Sequence, residues 1–371
     1  ANNNTAVGSS ALLANTTGPN NVAVGREALK ANTTAAYNVA VGDQALISNT
    51  TGTQNNAIGG MALFSNTTGN NNIGLGIEAV KLNTTGSNNI GIGAGALDAN
   101  TTADNNTAVG SFALTANTTG TDNVAVGVNS LDVCTTGINN VGLGSSTLGE
   151  LTTGDRNTAV GNFAMGGVSG SQTGDHNTAV GDNALRHINT GSENTCLGNA
   201  AGFNIQSGSN NLFLGRNAGT SSAPNGNHVT DSNRIVLGDN SITSAHIKVS
   251  FTATSDERDK TDITDFTKGL DFVNALRPVT YKWDMRSNYS SDLSVTPDGS
   301  KKSDKTEIGL IAQEVETIEK ANGYSTDESN RLLISKSTDG LHYGIQYERL
   351  VPVLVNAIKE LSAKVTALEA G

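Results

Sequence analysis

The sequence predicts a mainly β protein, in which a parallel β-solenoid fills about the first two thirds and a small α+β domain follows. Three observations lead to this prediction. A glycine recurs every 17 residues through the first part of the chain. The 371 residues include 43 Gly but only 4% aromatic residues, so repetition and backbone pairing must stabilise the chain. Positions 1–250 carry 8 basic and 14 acidic residues, whereas positions 251–371 carry 15 and 20.

The repeat is defined by the glycine that closes a short aliphatic run in each turn. Ten of these glycines lie 17 residues apart, and four more follow at intervals of 20, 17, 17 and 23: Gly8, Gly25, Gly42, Gly59, Gly76, Gly93, Gly110, Gly127, Gly144, Gly161, Gly181, Gly198, Gly215 and Gly238. The longer intervals fall at 166–177 and 221–233, which we interpret as inserted loops. Seventeen residues span at most about 56 Å, enough for two or three short strands plus bends. Within the repeat, no segment between successive bends is long enough for an amphipathic helix.

Each position of the repeat has its own chemistry. The residue before the glycine is aliphatic, as in Val24, and the residue three before it is Val, Ile, Leu, Thr or once Asn, as in Val22. Alternation along a strand puts both on one face, which we assign to the interior together with an aliphatic residue four after the glycine, such as Leu29. The tiny residue between them, such as Ala23, is expected to point outward, where another chain would pack closely.

Polar residues recur with the same period. Asparagine stands four before the glycine in thirteen turns, from Asn4 to Asn211, and stacking predicts an amide ladder. The bend Asn-Thr-Thr-Gly, first at 15–18, supplies turn-forming residues at each corner. Its threonines, such as Thr16, are expected to serve the turn rather than to bind a ligand.

With these motifs the repeat resembles the head repeats of trimeric bacterial adhesins of the YadA type, which form left-handed parallel β-rolls. The unit in this chain is longer than the usual adhesin repeat. The resemblance implies a homotrimer of coils packed around a common axis.

Beyond residue 250 the pattern is that of a small globular domain. Thr267–Arg277 is predicted to be an amphipathic helix ended by Pro278, 279–285 a strand, and 307–320 a strand that continues as a helix. From Tyr347 the apolar residues alternate at spacings of 3 and 4, a coiled-coil heptad: Val351, Leu354, Ile358, Leu361, Val365 and Leu368. Ile or Val at a and Leu at d by themselves favour two strands, which the rest of the chain can override.

Four motifs carry a second resemblance: Ser255–Lys260, Leu276–Trp283, Ile308–Val315 and Tyr347–Leu350. In this order they resemble the endosialidase-type intramolecular chaperone domain, which ends many phage tail fibres and tailspikes. Two departures are Asp259, where a hydrophobic or basic residue is frequent, and a polar insert at 288–305. The resemblance implies a trimeric chaperone that helps to fold the preceding fibre and then cuts itself off before its first serine.

Carried over to this chain, the resemblance implies a scissile bond between Thr254 and Ser255. Ser255 would attack the preceding carbonyl and Lys260 would act as general base, in a single-turnover autoproteolytic reaction rather than conventional enzyme turnover. The base must be a neutral amine, so its side chain must be shielded from water. Five residues apart on one α-helix, the two side chains would point about 140° apart. The pair must therefore form in non-helical backbone or be supplied by another subunit.

These interpretations divide the chain into a β-solenoid fibre shaft at 1–245, a linker with the cleavage site at 246–254, and a chaperone auto-processing domain at 255–371. The predicted function is that of a phage tail-fibre segment for host attachment, on the virion or outside the cell. Its C-terminal domain would direct trimeric folding and release itself. Two alternatives stay open, a trimeric bacterial surface adhesin and a polysaccharide-degrading tailspike.

The predicted partners are further copies of the chain, other virion tail proteins and a host cell-surface receptor, for which a polysaccharide is one candidate. A net charge of −11 argues against nucleic acid and anionic membranes. No apolar run approaches the about 18 residues that span a bilayer. The five histidines are scattered, so no metal or other cofactor is predicted. Cys134 and Cys196, roughly 19 Å apart by the repeat, are expected to be small buried fillers.

Overall fold

The computed structural model describes residues 3–167, 172–223, 226–248, 252–290, 294–327, 329–337 and 340–371. Residues 168–171 and 224–225 of the predicted loops, 249–251 of the predicted linker and 291–293 of the predicted insert lie outside the described residues. The chain divides into two compact units, Ala1–Asp239 and Asn240–Gly371. Each unit has its own hydrophobic core.

The first unit is a parallel β-solenoid, which confirms the predicted fold class. Fourteen strands of three residues pair in sequence order into one parallel sheet. Each turn thus contributes one strand, fewer than the two or three expected. The strands are β1 Thr5–Val7, β2 Val22–Val24, β3 Val39–Val41, β4 Asn56–Ile58, β5 Ile73–Leu75, β6 Ile90–Ile92, β7 Thr107–Val109, β8 Val124–Val126, β9 Val141–Leu143, β10 Thr158–Val160, β11 Thr178–Val180, β12 Thr195–Leu197, β13 Leu212–Leu214 and β14 Ile235–Leu237.

The register of the sheet follows the repeat. Most neighbouring strands are offset by 17 residues, as in the pairing of Thr5 with Val22. At the longer intervals Thr158 pairs with Thr178, and β13 pairs with β14 in the same relative register. The longer intervals therefore leave the register of the sheet unchanged, as the interpretation of these intervals as insertions predicts.

The prediction for the two faces of the strands is wrong. Ala23, in the middle of β2, has no exposed surface, whereas Ile58 and Val126, in third positions, are 43% and 38% exposed. The reason is the narrowness of the coil. A Cβ added at Gly91, the middle residue of β6, would lie only 2.5 Å from Cγ2 of Val80. The interior therefore accepts Ala or Gly at this position in most turns, and the β-branched residues point outward.

The predicted contribution of Leu to the core is confirmed. Leu29 is fully buried, like the equivalent leucines of the following turns. In the turn of β13 the large and the small side chain exchange positions. Phe213 stands in the middle of β13, and Gly219 takes the place of the leucine, where an added Cβ would lie 2.5 Å from Cε2 of Phe213. This turn thus still combines one large and one small side chain in the core.

The first and third residues of β1–β14 form a band on the outside of the coil, which we call the outer stripe. It is aliphatic except at six first positions, which are Thr in five strands and Asn in one. Its third position is aliphatic in all fourteen strands, and none of its residues is charged. Because these side chains are half-buried or exposed, the outer stripe replaces the expected row of small residues as the surface open to another chain.

One column of asparagines, four before each glycine, forms the predicted ladder, although its main partner is the backbone. The amide oxygen of Asn21 accepts the N–H of Asn38 at 3.0 Å, and its Nδ2 donates to the carbonyl of Ala35 at 2.8 Å. From Asn106 onward, Nδ2 also lies within hydrogen-bond distance of the preceding Oδ1. Each turn is thereby tied to its neighbour and to its own bend.

A second column, at the bend asparagines from Asn15 to Asn117, forms an amide-to-amide ladder that was not predicted. Nδ2 of Asn66 donates to Oδ1 of Asn49 at 2.9 Å and to the carbonyl of Gly69 at 3.0 Å. The ladder ends because Cys134 stands in the next position. Among the described residues, Oδ1 of Asn117 consequently has no hydrogen-bond partner.

The threonines of the bend serve the backbone, as expected. Oγ1 of Thr16 donates to the carbonyl of Thr33, one turn further on, at 3.0 Å, and Thr33 repeats this toward Thr50 at 3.2 Å. A hydroxyl engaged in this way supports the stacking of turns.

Residues with a positive φ recur in every turn. In the second turn Glu27 and Leu29 have φ values of 59° and 51°, and the equivalent residues of the other turns as far as Asn217 and Gly219 are similar. This conformation costs roughly 1–2 kcal/mol for a residue with a Cβ. Full burial of Leu29 contributes a comparable stabilisation, so the core offsets the backbone strain.

The second unit is α+β, as predicted, and the predicted helix at Thr267–Arg277 is confirmed in a shorter form. The elements are α1 Leu270–Ala275, β15 Val279–Tyr281, β16 Glu307–Gly309, α2 Ala312–Ala321, β17 Ile334–Lys336, β18 Tyr343–Ile345 and α3 Leu350–Glu369. Two antiparallel pairs, β15 with β16 and β17 with β18, form its small sheets. Single turns of 3-10 helix occur at Glu257–Asp259, Arg286–Asn288 and Tyr347–Arg349.

The last helix, α3, has two different faces. Val353 and Ala357 are buried, and Val353 joins the core of the second unit with Phe272 of α1 and Val315 of α2. The heptad residues lie on the exposed face, where Ile358 is 65% exposed. The predicted helix is confirmed, and its assembly into a coiled coil stays a prediction.

Candidate functional site

The structure brings the side chains of Ser255 and Lys260 together within one chain. Nζ of Lys260 donates to Oγ of Ser255 at 2.7 Å and to the Ser255 carbonyl at 3.2 Å. The residues between them form one 3-10 turn, Glu257–Asp259, after which Lys260 is extended with φ −119° and ψ 143°. The pair thus forms in backbone that is not α-helical, which is one of the two routes expected from the spacing.

Asp256 caps this turn. Its Oδ1 accepts the backbone N–H of Arg258 at 2.9 Å, and the guanidinium of Arg258 donates to the same carboxylate, with Nη2 2.6 Å from Oδ2. The guanidinium, and secondly the backbone N–H, lower the pKa of Asp256. The carboxylate is therefore ionised at neutral pH and is a strong acceptor at the start of the turn.

Water reaches the pair in this single chain. Ser255 and Lys260 are both exposed, and the turn between them contains no buried residue. A serine hydroxyl beside an amine can lose its proton to that amine only while the amine is neutral. Shielding from water favours the neutral form, and the described residues provide no such cover.

The other sequence motifs meet in the second unit. Arg277 of the second motif donates to Glu314 of the third, with Nε 3.1 Å from Oε2. The hydroxyl of Tyr347, in the fourth motif, accepts the N–H of Leu310 at 3.0 Å. A Cβ added at Gly309 would lie 2.7 Å from that hydroxyl. The third motif therefore contains a glycine where the tyrosine of the fourth makes its contact.

Three polar residues that the sequence analysis did not single out hold the elements of this unit together. Glu319 of α2 is fully buried and accepts the N–H of Leu333 at 2.5 Å. Glu360 of α3 accepts the N–H of Leu270 at 2.9 Å, and Asn356 donates to the carbonyl of Phe266. The sequence pattern could have indicated that Glu319 is buried, because it lies four residues after Val315 on the apolar face of an amphipathic helix.

In the described part of the chain, no group of three or more His, Cys, Asp or Glu side chains is placed to hold a metal ion. Cys134 and Cys196 are buried with free thiols, as expected of fillers, and burial raises the pKa of Cys134 to about 11. Within the same ranges, no helix has both the length and the apolar character needed to cross a membrane.

Comparison with known proteins identifies a segment of the second unit. Residues 255–324 match the family model described as the chaperone of endosialidase. The match begins at Ser255 and includes three of the four motifs, whereas Tyr347–Leu350 lies beyond it. Intramolecular chaperone is therefore the class of domain defined for this part of the chain. No curated protein and no solved structure matches the chain.

Proposed function

We propose that the chain is a phage tail-fibre segment for host attachment, built as a shaft at 1–245, a linker at 246–254 and an auto-processing chaperone at 255–371. The chaperone would direct the folding of three copies and then release itself at Thr254–Ser255. The observation that carries this proposal is the 2.7 Å contact between Nζ of Lys260 and Oγ of Ser255, at the first residue of the family match.

The reaction follows from that contact. Oγ of Ser255 attacks the carbonyl carbon of Thr254, and neutral Lys260 takes the hydroxyl proton. The C–N bond between the two residues breaks, the proton passes to the new amine of Ser255, and the acyl group rests on Oγ as an ester. One water molecule then hydrolyses the ester, which leaves a carboxylate at Thr254 and restores the hydroxyl. The products are the segments 1–254 and 255–371.

Because Lys260 is exposed in a single chain, we infer that a neighbouring copy supplies the shielding that the base requires. Cleavage would then report that the three chaperone domains have assembled. A repetitive shaft gains from this order of events, because turns of nearly identical chemistry can pair in the wrong register. Assembly at the C-terminal end would set the register before the chaperone leaves.

Replacing Ser255 by alanine is expected to abolish cleavage, because no nucleophile remains at the bond. The parent chain should yield fragments of 254 and 117 residues on a denaturing gel, and intact mass spectrometry should place the cut before Ser255. Ser244→Ala, at an exposed serine of the preceding segment, is the matched control and should cleave like the parent. A parent chain that stays intact in a well-folded trimer contradicts the proposal.

We further propose that the outer stripe and the exposed face of α3 are the surfaces through which the copies associate. The stripe is roughly 67 Å long and 10 Å wide. Because 22 of its 28 positions are aliphatic, its apolar area is on the order of 500 Å², at the upper end of the largest apolar patches of typical monomers, roughly 300–600 Å². The heptad positions of α3 add a second uncovered apolar surface. Both fit a self-associating fibre.

The double substitution Val126→Asp and Leu143→Asp is expected to weaken this association, because it would bury two charges without partners in the assembly. Sedimentation velocity in a Ser255→Ala background should show a smaller species than the parent. Thr121→Asp is the matched control, since Asp104 and Asp155 occupy the same position in nearby turns. If the double variant folds and sediments like the parent, the stripe is not the interface.

A further inference from the structure

We propose that Asp256 is a positioning residue for the Ser255–Lys260 pair. It acts by capping the 3-10 turn that carries Lys260 back onto the serine, and not by contacting the scissile bond. This inference rests on the proposed autoproteolysis and deepens it, because it assigns the geometry of the pair to a third side chain.

The segment has few other means of holding its shape. It is exposed, and the turn Glu257–Asp259 has no buried residue, so packing does not fix it. Three hydrogen bonds close the turn itself. Oδ1 of Asp256 accepts the N–H of Arg258 at 2.9 Å, the N–H of Asp259 donates to the carbonyl of Asp256 at 3.3 Å, and the N–H of Lys260 donates to the carbonyl of Glu257 at 3.1 Å. Of these, the bond to Oδ1 depends on the side chain at position 256.

The backbone of Asp256 has the form that capping requires. Its φ of −70° and ψ of 133° are extended, as is usual for a residue whose side chain accepts a hydrogen bond from the first N–H groups of a helix. Without an acceptor at this position the turn has one more free N–H group and more accessible conformations. Nζ of Lys260 would then spend less time beside Oγ of Ser255.

Arg258 supports the cap. Its Nε lies 3.0 Å from Oδ1 and its Nη2 2.6 Å from Oδ2 of Asp256, a forked contact that orients the carboxylate. The same contact engages both carboxylate oxygens of Asp256, which would otherwise be free to accept a hydrogen bond from Nζ of Lys260 in competition with the serine. Cap and fork together therefore favour the contact between lysine and serine.

The test ranks substitutions of Asp256 by their ability to cap a helix. Asparagine and serine cap as well as aspartate, whereas alanine and glutamate do not. We expect Asp256→Asn and Asp256→Ser to cleave within about threefold of the parent, and Asp256→Ala and Asp256→Glu to cleave at least about tenfold more slowly. The rate is the first-order appearance of the 1–254 fragment after in vitro translation of the full chain, read on denaturing gels.

Two controls separate positioning from general damage. Asp259→Ala removes an acidic side chain from the same turn without removing the cap, and should cleave like the parent. Sedimentation velocity of each variant in a Ser255→Ala background should show the same assembly as the parent, because the cap contacts no core residue. Restored cleavage in Asp256→Asn is a result that a merely structural or charge effect of Asp256→Ala would not produce.

Each outcome decides the matter. If the parent cleaves and Asp256→Ala or Asp256→Glu keeps the parent rate, the positioning role is wrong while the autoproteolysis stands. Glutamate active with asparagine inactive would show that charge matters and capping does not, which also overturns the inference. If the parent itself is never cleaved, the proposed function fails and this inference fails with it.

Discussion

Replacing Gly127 by alanine is expected to lower the free energy of unfolding of the solenoid by about 4 kcal/mol or more, an exceptional effect for one methyl group. Gly127 has φ 139°, a conformation that residues with a Cβ rarely adopt. An added Cβ would lie 2.2 Å from the carbonyl oxygen of Gly144 in the next turn. Both the backbone of Gly127 and the stacking of the next turn would therefore have to change.

Gly120→Ala is the matched control in the preceding bend. An added Cβ at Gly120 would also approach a carbonyl, that of Gly137 at 2.3 Å, but Gly120 is not among the glycines with positive φ. Two other turns already carry alanine at this position, Ala35 and Ala103, so the bend can adjust to a methyl group. We expect a loss of about 1 kcal/mol, in the range of an ordinary substitution.

Urea denaturation followed by circular dichroism, on chains that also carry Ser255→Ala to prevent cleavage, measures both effects. The expected order of midpoints is parent, then Gly120→Ala, then Gly127→Ala well below. Equal midpoints for the two glycine variants would mean that the closing glycine of the strand is no more constrained than the glycine of the bend.

The period of the solenoid could be predicted from the sequence because the repeat compares each turn with thirteen others. The closing glycine is invariant in all fourteen turns, whereas the bend glycine is replaced by Ala35 and Ala103. The repeat therefore indicates that the closing glycine is required and that the bend glycine can be replaced. The positive φ of Gly127 explains why the closing position requires glycine. Register and loop positions follow from the same spacing.

The assignment of faces could not be predicted, because alternation alone does not say which face is inside. Polarity is a poor guide in a coil this narrow, since both faces of a strand such as Val22–Val24 are apolar. Volume decides instead: in the middle of β6 even a Cβ added at Gly91 would lie 2.5 Å from Cγ2 of Val80. The left-handed backbone conformation of Leu29 could not be predicted from the repeat either, because leucine does not favour that conformation.

In the second unit the motifs identified the class of domain, but the contacts between them required the fold. Ser255 and Lys260 are five positions apart, and only the 3-10 turn between them makes their contact possible. The contact of Tyr347 with Leu310 joins two motifs that are 37 residues apart. Glu360 contacts Leu270 over a still longer separation, and no local pattern indicates such a pairing.

Replacing Asn66 by leucine is expected to lower the free energy of unfolding by about 3 kcal/mol, because it breaks the amide ladder in the middle. Nδ2 of Asn66 would no longer donate to Asn49 or to the carbonyl of Gly69. Oδ1 of Asn66 would no longer accept Nδ2 of Asn83, a contact of 2.8 Å. Oδ1 of Asn49 would be left buried without a donor.

Asn117→Leu is the matched control, because the ladder already ends at that residue. Its Oδ1 lacks a partner among the described residues, so the substitution removes one unpaired oxygen and creates another, at Asn100, whose Oδ1 accepts Nδ2 of Asn117 at 3.0 Å. Leucine also fits this position, as Leu151 shows two turns further on. We expect a loss of about 1 kcal/mol from the hydrogen bonds of Nδ2.

Both variants exchange Asn for Leu, but only Asn66→Leu interrupts the ladder. The expected difference of about 2 kcal/mol between their losses in the free energy of unfolding therefore measures what continuity of the ladder contributes. Thermal and urea midpoints of the Ser255→Ala chain and of the two variants in that background measure it. Cys134→Asn adds the reciprocal test: its amide would give Asn117 a donor and extend the ladder by one turn, and should raise the midpoint or leave it unchanged. Equal losses for Asn66→Leu and Asn117→Leu would show that each asparagine acts through its own bend alone, and that the column has no collective stability.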